Sequence, residues 1–325
     1  YIFASLLDIM KVTYYIKNAN ETLFSFEIIP PLKGKGIENL YEGIDPLMEF
    51  NPPFINVTYH REEFIYKNMG DGILKKISIK KRPGTVGICA AIMHKYKVDA
   101  IPHLICGGFN LEDTENALID LQFLGVDNIL ALGGDPIKSE SVFTPSSGGH
   151  HYASELIGQI SKMNEGKYLD DERQNAPTNF CIGAAGYPEK HFEAMNLNSD
   201  MKHLKEKVDA GAEFIVTQMF YDNAKYFDFV DKCRTVGIDV PIIPGLKPIT
   251  TLKHTTFLPK FFHIDLPETL ANELEKCKTN AAVRNIGVDW GIEQAKELKS
   301  KGAPVLHFYT MNKSTAVKEI ASAVF

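Results

Sequence analysis

The sequence is poor in cysteine. Its five cysteines, Cys89, Cys106, Cys181, Cys233 and Cys277, are scattered along the chain, and no two of them form a CxxC pair. Neither a zinc ribbon nor a disulfide scaffold is therefore indicated. We expect reduced thiols in the core of a cytoplasmic protein.

An excess of positive charge is also lacking. The formal net charge is -6 at pH 7 and the pI is close to 6.0, whereas a nucleic-acid partner usually requires a basic face. No apolar run is long enough to span a bilayer. The composition argues against nucleic-acid and membrane partners and leaves small molecules as the expected ligands.

Two familiar phosphate-binding motifs, GxGxxG and GxxxxGK[ST], are missing from the chain. A dinucleotide would have to bind without a Rossmann glycine loop. The only paired histidines, His150 and His151, are adjacent, which is poor spacing for metal ligands. We expect a solvated loop there and no metal.

The amino terminus does not look like a secretory signal. It has no basic segment, and Asp8 interrupts the apolar run "YIFASLLDIM". A natural start near Met10 is the simpler interpretation. We predict that residues 1–10 are a non-native or disordered leader and that residues 11–325 form a single catalytic domain.

Short β-rich apolar runs alternate with segments of helical period along the chain. The predicted strands cover residues 23–29, 54–60, 101–106, 128–134, 180–187, 214–220, 241–249 and 305–310. A helical segment is expected after each strand. In one of them, "DMKHLKEKVDAG", Asp200 is the expected N-cap.

This alternation predicts an α/β fold of the (β/α)8 TIM-barrel type, with a doubly wound open sheet as the alternative. Residues 255–286 hold extra material. They include "LPETLANELEKC", which predicts an added helix before the last β/α unit.

Polar side chains recur where the predicted strands end, which is where such barrels carry their chemistry. Glu27 is the least expected, because it interrupts the apolar strand "FSFEIIPP". By strand alternation it faces the barrel mouth, where desolvation would raise its pKa and suit a general acid. An ion pair with a lysine or arginine across the barrel is the structural alternative.

The segment "FSFEIIPP" is one of several motifs that follow one another along the chain. The set also includes "NVTYH", "PHLICGGF", "ALGGDP", "AAGYPEKH", "VTQMFYD", "IIPGLKPI" and "LHFYTMN". In these motifs residues 11–325 resemble the methylenetetrahydrofolate reductase family. The resemblance implies a barrel that binds FAD. It also implies ping-pong reduction of 5,10-methylenetetrahydrofolate to 5-methyltetrahydrofolate by NADH or NADPH, supplying methyl groups for methionine synthesis.

The resemblance also implies roles for individual residues. Glu27 would protonate N10 of the folate, Asp135 would tune the flavin and orient the pterin, and Gln218 would bond folate and nicotinamide. Glu27, Gln218 and Leu252 would contact substrate. The implied FAD contacts are Thr58, Tyr59, His103, Gly134, Asp135, Tyr152, Ala153, Tyr187, His191, Asp200 and Lys207.

Two positions depart from the family pattern. Gly133 stands where many members have arginine, and Leu252 stands where some have an aromatic residue. One side-chain contact to FAD and one stacking contact to substrate are therefore in doubt.

Two other functions remain open at this point. A non-redox barrel could bind folate or transfer a methyl group, but it would not need the FAD set. A lyase would need a Schiff-base lysine, for which the strand residue Lys247 is the one candidate, although a proline follows it. A homo-oligomer is expected from the resemblance. The choice of NADH or NADPH and the need for a partner subunit stay undecided.

Overall fold

The computed structural model describes residues 11–137, 140, 142–170 and 175–325. The predicted leader, residues 1–10, lies outside them. The strands are β1 Leu23–Ile28, β2 Phe54–Val57, β3 Glu63–Asn68, β4 Leu74–Ile79, β5 Asp99–Ile105, β6 Asn128–Leu132, β7 Cys181–Gly186, β8 Phe214–Thr217, β9 Ile242–Ile243, β10 Gly245–Leu246 and β11 Val305–Tyr309.

Helices separate most of these strands. They span Val12–Asn18, Glu38–Ile44, Thr85–Tyr96, Leu111–Phe123, Ala153–Asn164, Leu197–Asp209, Asn223–Thr235, Leu252–Phe262, Glu268–Glu275, Asn280–Ser300 and Ser314–Val324, and a 3-10 helix covers Asp45–Phe50. The helix Glu268–Glu275 is the added helix that the sequence predicted before the last unit. In the described part of the chain, no helix combines the length and apolarity needed to cross a membrane.

A parallel sheet forms the centre of the fold, in the order β10-β11-β1-β2-β5-β6-β7-β8-β9. The strands β9 and β10 are two pieces of one strand on either side of Pro244, which has no N–H to donate. The first piece pairs with β8 and the second with β11, so the sheet closes into a barrel. The (β/α)8 prediction is confirmed, and the open sheet is excluded.

Two apolar clusters follow from strand alternation. Phe24, Phe26 and Ile28 of β1 pack outward against the helices, in the larger cluster. The smaller cluster fills the lower barrel with the first inward residues of several strands, such as Phe54 and Val305. Further towards the carboxyl ends of the strands, the inward-facing residues become polar, as with Ser25 on β1 and His307 on β11.

The prediction of a helix directly after the second strand was wrong. An antiparallel hairpin, β3 paired with β4, precedes the helix Thr85–Tyr96. Its turn contains Gly70, Asp71 and Gly72, all with positive φ, a conformation that glycine adopts without strain. The alternating segments "EFIYKN" and "LKKISI" on either side of this turn are the sequence signal for a hairpin.

The N-cap assignment of Asp200 was also wrong. The helix begins one turn earlier, because the Asn196 side chain accepts a hydrogen bond from Ser199 N at 3.0 Å. Asp200 therefore lies inside the first turn. Its carboxylate accepts a hydrogen bond from His191 N at 2.8 Å instead.

We predict that Gly287→Ala destabilises the barrel. Gly287 lies in the helix Asn280–Ser300, where an added Cβ would overlap the backbone carbonyl of Ile249, and backbone cannot move aside as a side-chain tip can. We expect a loss of about 1–3 kcal/mol in the free energy of unfolding, measured by urea denaturation.

Gly158→Ala is the matched control for this substitution. Gly158 is also helical, but a Cβ there meets nothing within 4 Å, so the helix should gain about 0.5–1 kcal/mol. Equal effects of the two substitutions would contradict the predicted overlap.

Candidate active site

Glu27 is held at the barrel mouth by its neighbours. Thr310 donates its hydroxyl to the Glu27 carbonyl at 2.7 Å, which anchors the backbone. Thr58 Oγ1 donates to Glu27 Oε1 at 3.0 Å, and His103 Nε2 lies 3.4 Å from Oε2. The carboxyl group thus sits between β2 and β5, with 13% of its side chain exposed.

Burial dominates the electrostatics of this carboxyl group. Desolvation raises the pKa of Glu27 to about 7, against the opposing hydrogen bond from Thr58 and the positive charge of Lys247. Among the described residues, no lysine or arginine nitrogen lies within 4.0 Å of the Glu27 carboxyl oxygens. The basic side chain that does come within this distance is His103. The alternative of a direct ion pair with lysine or arginine is therefore not observed, and Glu27 can hold a proton near neutral pH.

A layer of polar side chains lies below Glu27 inside the barrel. Ser25 Oγ and His307 Nδ1 are 2.8 Å apart and fully buried. Within the described part of the chain, no hydrogen-bond partner reaches the Asn56 amide, His103 Nε2 or His307 Nε2. Burial lowers the pKa of both His103 and His307 to about 3, so both rings are neutral.

A second cluster forms where β7 ends. It brings together four predicted FAD contacts, Tyr187, His191, Asp200 and Lys207. The Tyr187 and His191 rings meet edge to face at 4.5 Å, and Asp200 accepts the bond from His191 N described above. Lys207 Nζ donates to Ala185 O at 3.1 Å and lies 5.9 Å from the centre of the Tyr187 ring. Sequence motifs 20 residues apart are thereby joined into one site.

The charges in this cluster are only partly compensated. Desolvation lowers the pKa of Lys207, and Asp200 opposes that shift. Burial lowers the pKa of His191, and its Nδ1 accepts a hydrogen bond from Glu193 N at 3.3 Å, as a neutral ring can. A cation beside a neutral imidazole and an aromatic ring is suited to an anionic ligand that also carries a ring or a sugar.

Asp135 follows β6 on an exposed loop. Desolvation by its surroundings raises the pKa of its carboxyl, and His191 opposes the shift. Asp135 also acts on the pKa of Tyr187, which burial has already raised, so the β6 and β7 loops share one electrostatic environment. The adjacent Gly134 has φ +94°, whereas a Cβ on Gly133 would meet nothing within 4 Å.

The two remaining predicted substrate contacts lie on later strands. Gln218 directly follows β8, where its backbone N–H donates to Gly186 O at 2.8 Å and its Oε1 accepts from Met219 N at 2.9 Å. Leu252 is the first residue of its helix and is 39% exposed, with its N–H bonded to Asn280 Oδ1 at 2.9 Å.

Three predicted FAD contacts stand apart from both clusters. Tyr59 packs against Phe109 at 5.2 Å between ring centres, and the exposed Tyr152 precedes the buried Ala153 at the start of a helix. In the described part of the chain, no hydrogen bond or ring contact joins these three to Glu27 or to Tyr187.

Two minor expectations need correction. His150 is buried and bonds Gln159 at 2.6 Å, so the paired histidines are not simply a solvated loop. Four cysteines are buried as expected, but Cys277 is partly exposed. Within the described ranges, no group of three or more His, Cys, Asp or Glu residues could hold a metal ion.

Lys247 and Tyr309 were not assigned to this site from the sequence. Both line the mouth beside Glu27: Lys247 Nζ donates to Tyr309 O at 3.3 Å, and Tyr309 OH donates to Thr217 O at 2.6 Å. The inward alternation of "VLHFY" could have identified Tyr309. Lys247 was considered only as a Schiff-base candidate.

Comparison with known proteins identifies relatives of this chain. Residues 12–324 match the family model of methylenetetrahydrofolate reductase. The chain is 36% identical over 299 residues to methylenetetrahydrofolate reductase 1 of Schizosaccharomyces pombe, an alignment that covers 91% of this chain but 45% of that protein. It is 30% identical over 292 residues to 5,10-methylenetetrahydrofolate reductase of Salmonella typhimurium, covering 89% and 86%.

A solved structure shares the fold. It is an uncharacterised Clostridium thermocellum protein described as binding two copies of 5-methyl-5,6,7,8-tetrahydrofolic acid. The TM-score is 0.56 at 16% identity, over 95% of this chain and 96% of that one. The sequence relatives named above all belong to one family. The chain spans less than half the length of the Schizosaccharomyces pombe protein.

The raised pKa of Glu27 predicts a pH-dependent stability. A carboxyl group with a pKa of 4.5 unfolded and about 7 folded stabilises the fold below pH 4.5, and this contribution is lost as the pH rises through 7. Glu27→Gln removes the titration. Between pH 5 and pH 8, we expect the free energy of unfolding of the variant to rise by about 2–3 kcal/mol relative to that of the wild type. Urea unfolding at each pH measures this difference.

Asp99, whose pKa is also raised, is present in both proteins, so the difference isolates Glu27. Glu112→Gln, which removes an exposed carboxyl group, is the matched control. A stability difference between wild type and Glu27→Gln that does not vary with pH would show that Glu27 is ionised throughout.

Proposed function

The chain belongs to the methylenetetrahydrofolate reductase family, and we propose that it reduces 5,10-methylenetetrahydrofolate to 5-methyltetrahydrofolate. NADH or NADPH would donate the electrons through bound FAD by a ping-pong mechanism, and the product would supply methyl groups for methionine synthesis. One observation carries the proposal. Glu27 is a largely buried carboxyl group at a barrel mouth, with no lysine or arginine of the described chain in contact with it and with a pKa raised to about 7.

Glu27 is suited to the proton transfer that this reaction requires. The five-membered ring of the substrate opens when N10 receives a proton, which favours an acid with a pKa near the working pH. Thr58 holds one carboxyl oxygen, and the neutral His103 lies beside the other without competing for the proton. Glu27 would therefore carry its proton until the substrate nitrogen arrives.

The residues around the mouth fit FAD. His103 Nε2 is a buried polar atom for which the described residues offer no hydrogen-bond partner, so a ligand atom could satisfy it. At the end of β7, Lys207 and His191 suit the pyrophosphate and ribose, and Asp200 suits a ribose hydroxyl. When bound, FAD would supply hydride transfer between the nicotinamide and the folate.

Other side chains would orient the substrates. The carboxylate of Asp135 would place a negative charge near the pterin, and the Gln218 amide would offer a donor and an acceptor to folate or nicotinamide in turn. Leu252, partly exposed at the start of its helix, would give an apolar contact in place of aromatic stacking. We further propose a cytoplasmic homo-oligomer.

The alternative is a folate-binding or methyl-transfer barrel without redox chemistry. The cluster of Tyr187, His191, Asp200 and Lys207 favours the flavin enzyme, because the family resemblance implies that all four residues contact FAD. The visible spectrum separates the two functions. The flavin enzyme should be yellow as purified, and a colourless protein that does not bind added FAD would favour the alternative.

We predict that Glu27→Gln separates the two half-reactions. Hydride transfer from the nicotinamide needs no acid at this position, so stopped-flow bleaching of the flavin by NADH or NADPH should stay within about tenfold of wild type. Reoxidation by methylenetetrahydrofolate should slow by roughly two to four orders of magnitude, the usual loss for a general acid.

Asp135→Asn is the comparison variant, since its charge would act on both half-reactions and should disturb both. If Glu27→Gln slowed the two half-reactions equally, or reoxidised at the wild-type rate, Glu27 would be a structural carboxyl group.

We also predict that Gly133→Arg tightens FAD binding. An added Cβ at this position meets nothing within 4 Å, so an arginine can be accommodated and could form a hydrogen bond to a charged group of the cofactor. We expect the dissociation constant to fall roughly tenfold, about 1.4 kcal/mol, as measured by flavin fluorescence. Gly133→Ala should leave it unchanged. Unchanged or weaker binding in the arginine variant would show that Gly133 is no deficit.

A further inference from the structure

Lys247 is a buried lysine in the mouth of the barrel, and the proposed reaction gives it no role. It is 9% exposed, and desolvation lowers its pKa to about 8. Burying an ammonium group is costly unless charge or hydrogen bonds compensate it. Its Nζ donates a hydrogen bond to a backbone carbonyl, that of Tyr309, at 3.3 Å.

The register of the sheet places Lys247 in a row with Glu27. Glu27 on β1 is the partner of Tyr309 on β11, and Leu246 on β10 is the partner of Phe308. Lys247, the residue directly after β10, therefore lies level with Tyr309, and the side chains of Glu27, Tyr309 and Lys247 lie side by side at one height of the barrel.

All three side chains face the interior of the barrel. A Cβ on Gly245 would lie 2.6 Å from the Tyr309 ring, so Gly245 faces inward. Lys247, two residues later, shares that side. The ammonium group thus shares a largely desolvated space with the carboxyl group, more than 4.0 Å away, where a charge acts more strongly than it would in water.

We propose that Lys247 is a positioning residue for the acid of this site: its ammonium group stabilises the carboxylate that Glu27 becomes after giving up its proton. This inference rests on the proposed function, in which Glu27 protonates the substrate nitrogen. The proton leaves Glu27 for N10, and no other bond or electron pair is involved in the role of Lys247.

The other groups around the pair act in the expected directions. Thr58, which directly follows β2, also favours the ionised carboxyl, while the neutral His103 on β5 and the phenol of Tyr309 add no charge. His254, from the helix Leu252–Phe262, has a pKa lowered by burial and by Lys247, so it is also neutral. Lys313, in the loop after β11, is exposed and acts on Lys247. Lys247 is thus the buried cation that acts on Glu27.

The consequence is a stronger acid than burial alone would leave. Desolvation alone would move the titration of Glu27 further above neutrality, where the carboxyl group would give up its proton reluctantly. The nearby positive charge brings it back towards the working pH, where a general acid is most effective.

Three variants test this inference. Lys247→Met removes the charge but keeps most of the length, and Lys247→Gln is a second neutral variant should the first fail to fold. Lys247→Arg keeps the charge. Lys313→Met is the matched control, since it removes an exposed positive charge from the same end of the barrel.

The direct measurement is an infrared titration of the Glu27 carboxyl band in the protein as isolated, with the band identified by its absence in Glu27→Gln. We expect the midpoint to rise by about half a pH unit or more in Lys247→Met, a threefold or larger change in the ionisation constant. Lys247→Arg and Lys313→Met should keep the wild-type midpoint. The alkaline limb of the reoxidation rate should move with the band.

An unchanged midpoint in Lys247→Met would overturn the inference, and so would an equal shift in Lys247→Arg, which would indicate shape rather than charge. Failure of the proposed function is seen separately. It would appear as a colourless protein that does not bind added FAD, whereas the infrared titration of Glu27 needs neither flavin nor substrate.

Discussion

The site depends on keeping one carboxyl group largely out of water without a lysine or arginine of the described chain in direct contact with it. Burial raises the pKa of Glu27 to about 7, and a direct lysine or arginine partner would cancel that shift. The barrel achieves this by surrounding the carboxyl with a hydroxyl, a neutral imidazole and a phenol, while the nearest buried ammonium stays beyond contact distance.

The layers of the barrel interior make this environment possible. Apolar residues such as Phe54 and Val305 seal the lower end, and the buried pair Ser25 and His307 forms a polar layer above them. Glu27 and Tyr309 follow two residues later on the same strands. Side chains alternate along every strand, so every second residue faces the interior. Along β1 and β11, successive inward residues towards the mouth are therefore first apolar, then the polar pair Ser25 and His307, and then the candidate site residues Glu27 and Tyr309.

Much of this was predictable from the sequence. The strands, the barrel and the mouth position of Glu27 all follow from alternation and from the rule that chemistry gathers at the carboxyl ends of the strands. The hairpin of β3 and β4 was missed because helices were expected after every strand. The N-cap at Asp200 was misplaced because Asn196 and Asp200 could each begin the helix, and the hydrogen bond from Ser199 N to the Asn196 side chain decided between them.

By itself the sequence determined the local properties: which residues form strands, which side each faces, and the family to which the chain belongs. Such properties depend on spacing along the chain. Only the tertiary structure decided the pKa of Glu27 and the fact that Glu27 lies beside Tyr309 and Lys247. These depend on the register of β11 with β1 and with β10, strands that are not consecutive in the sequence or are joined by long connections. They also depend on how much water the closed barrel excludes, and neither property is encoded in any single segment.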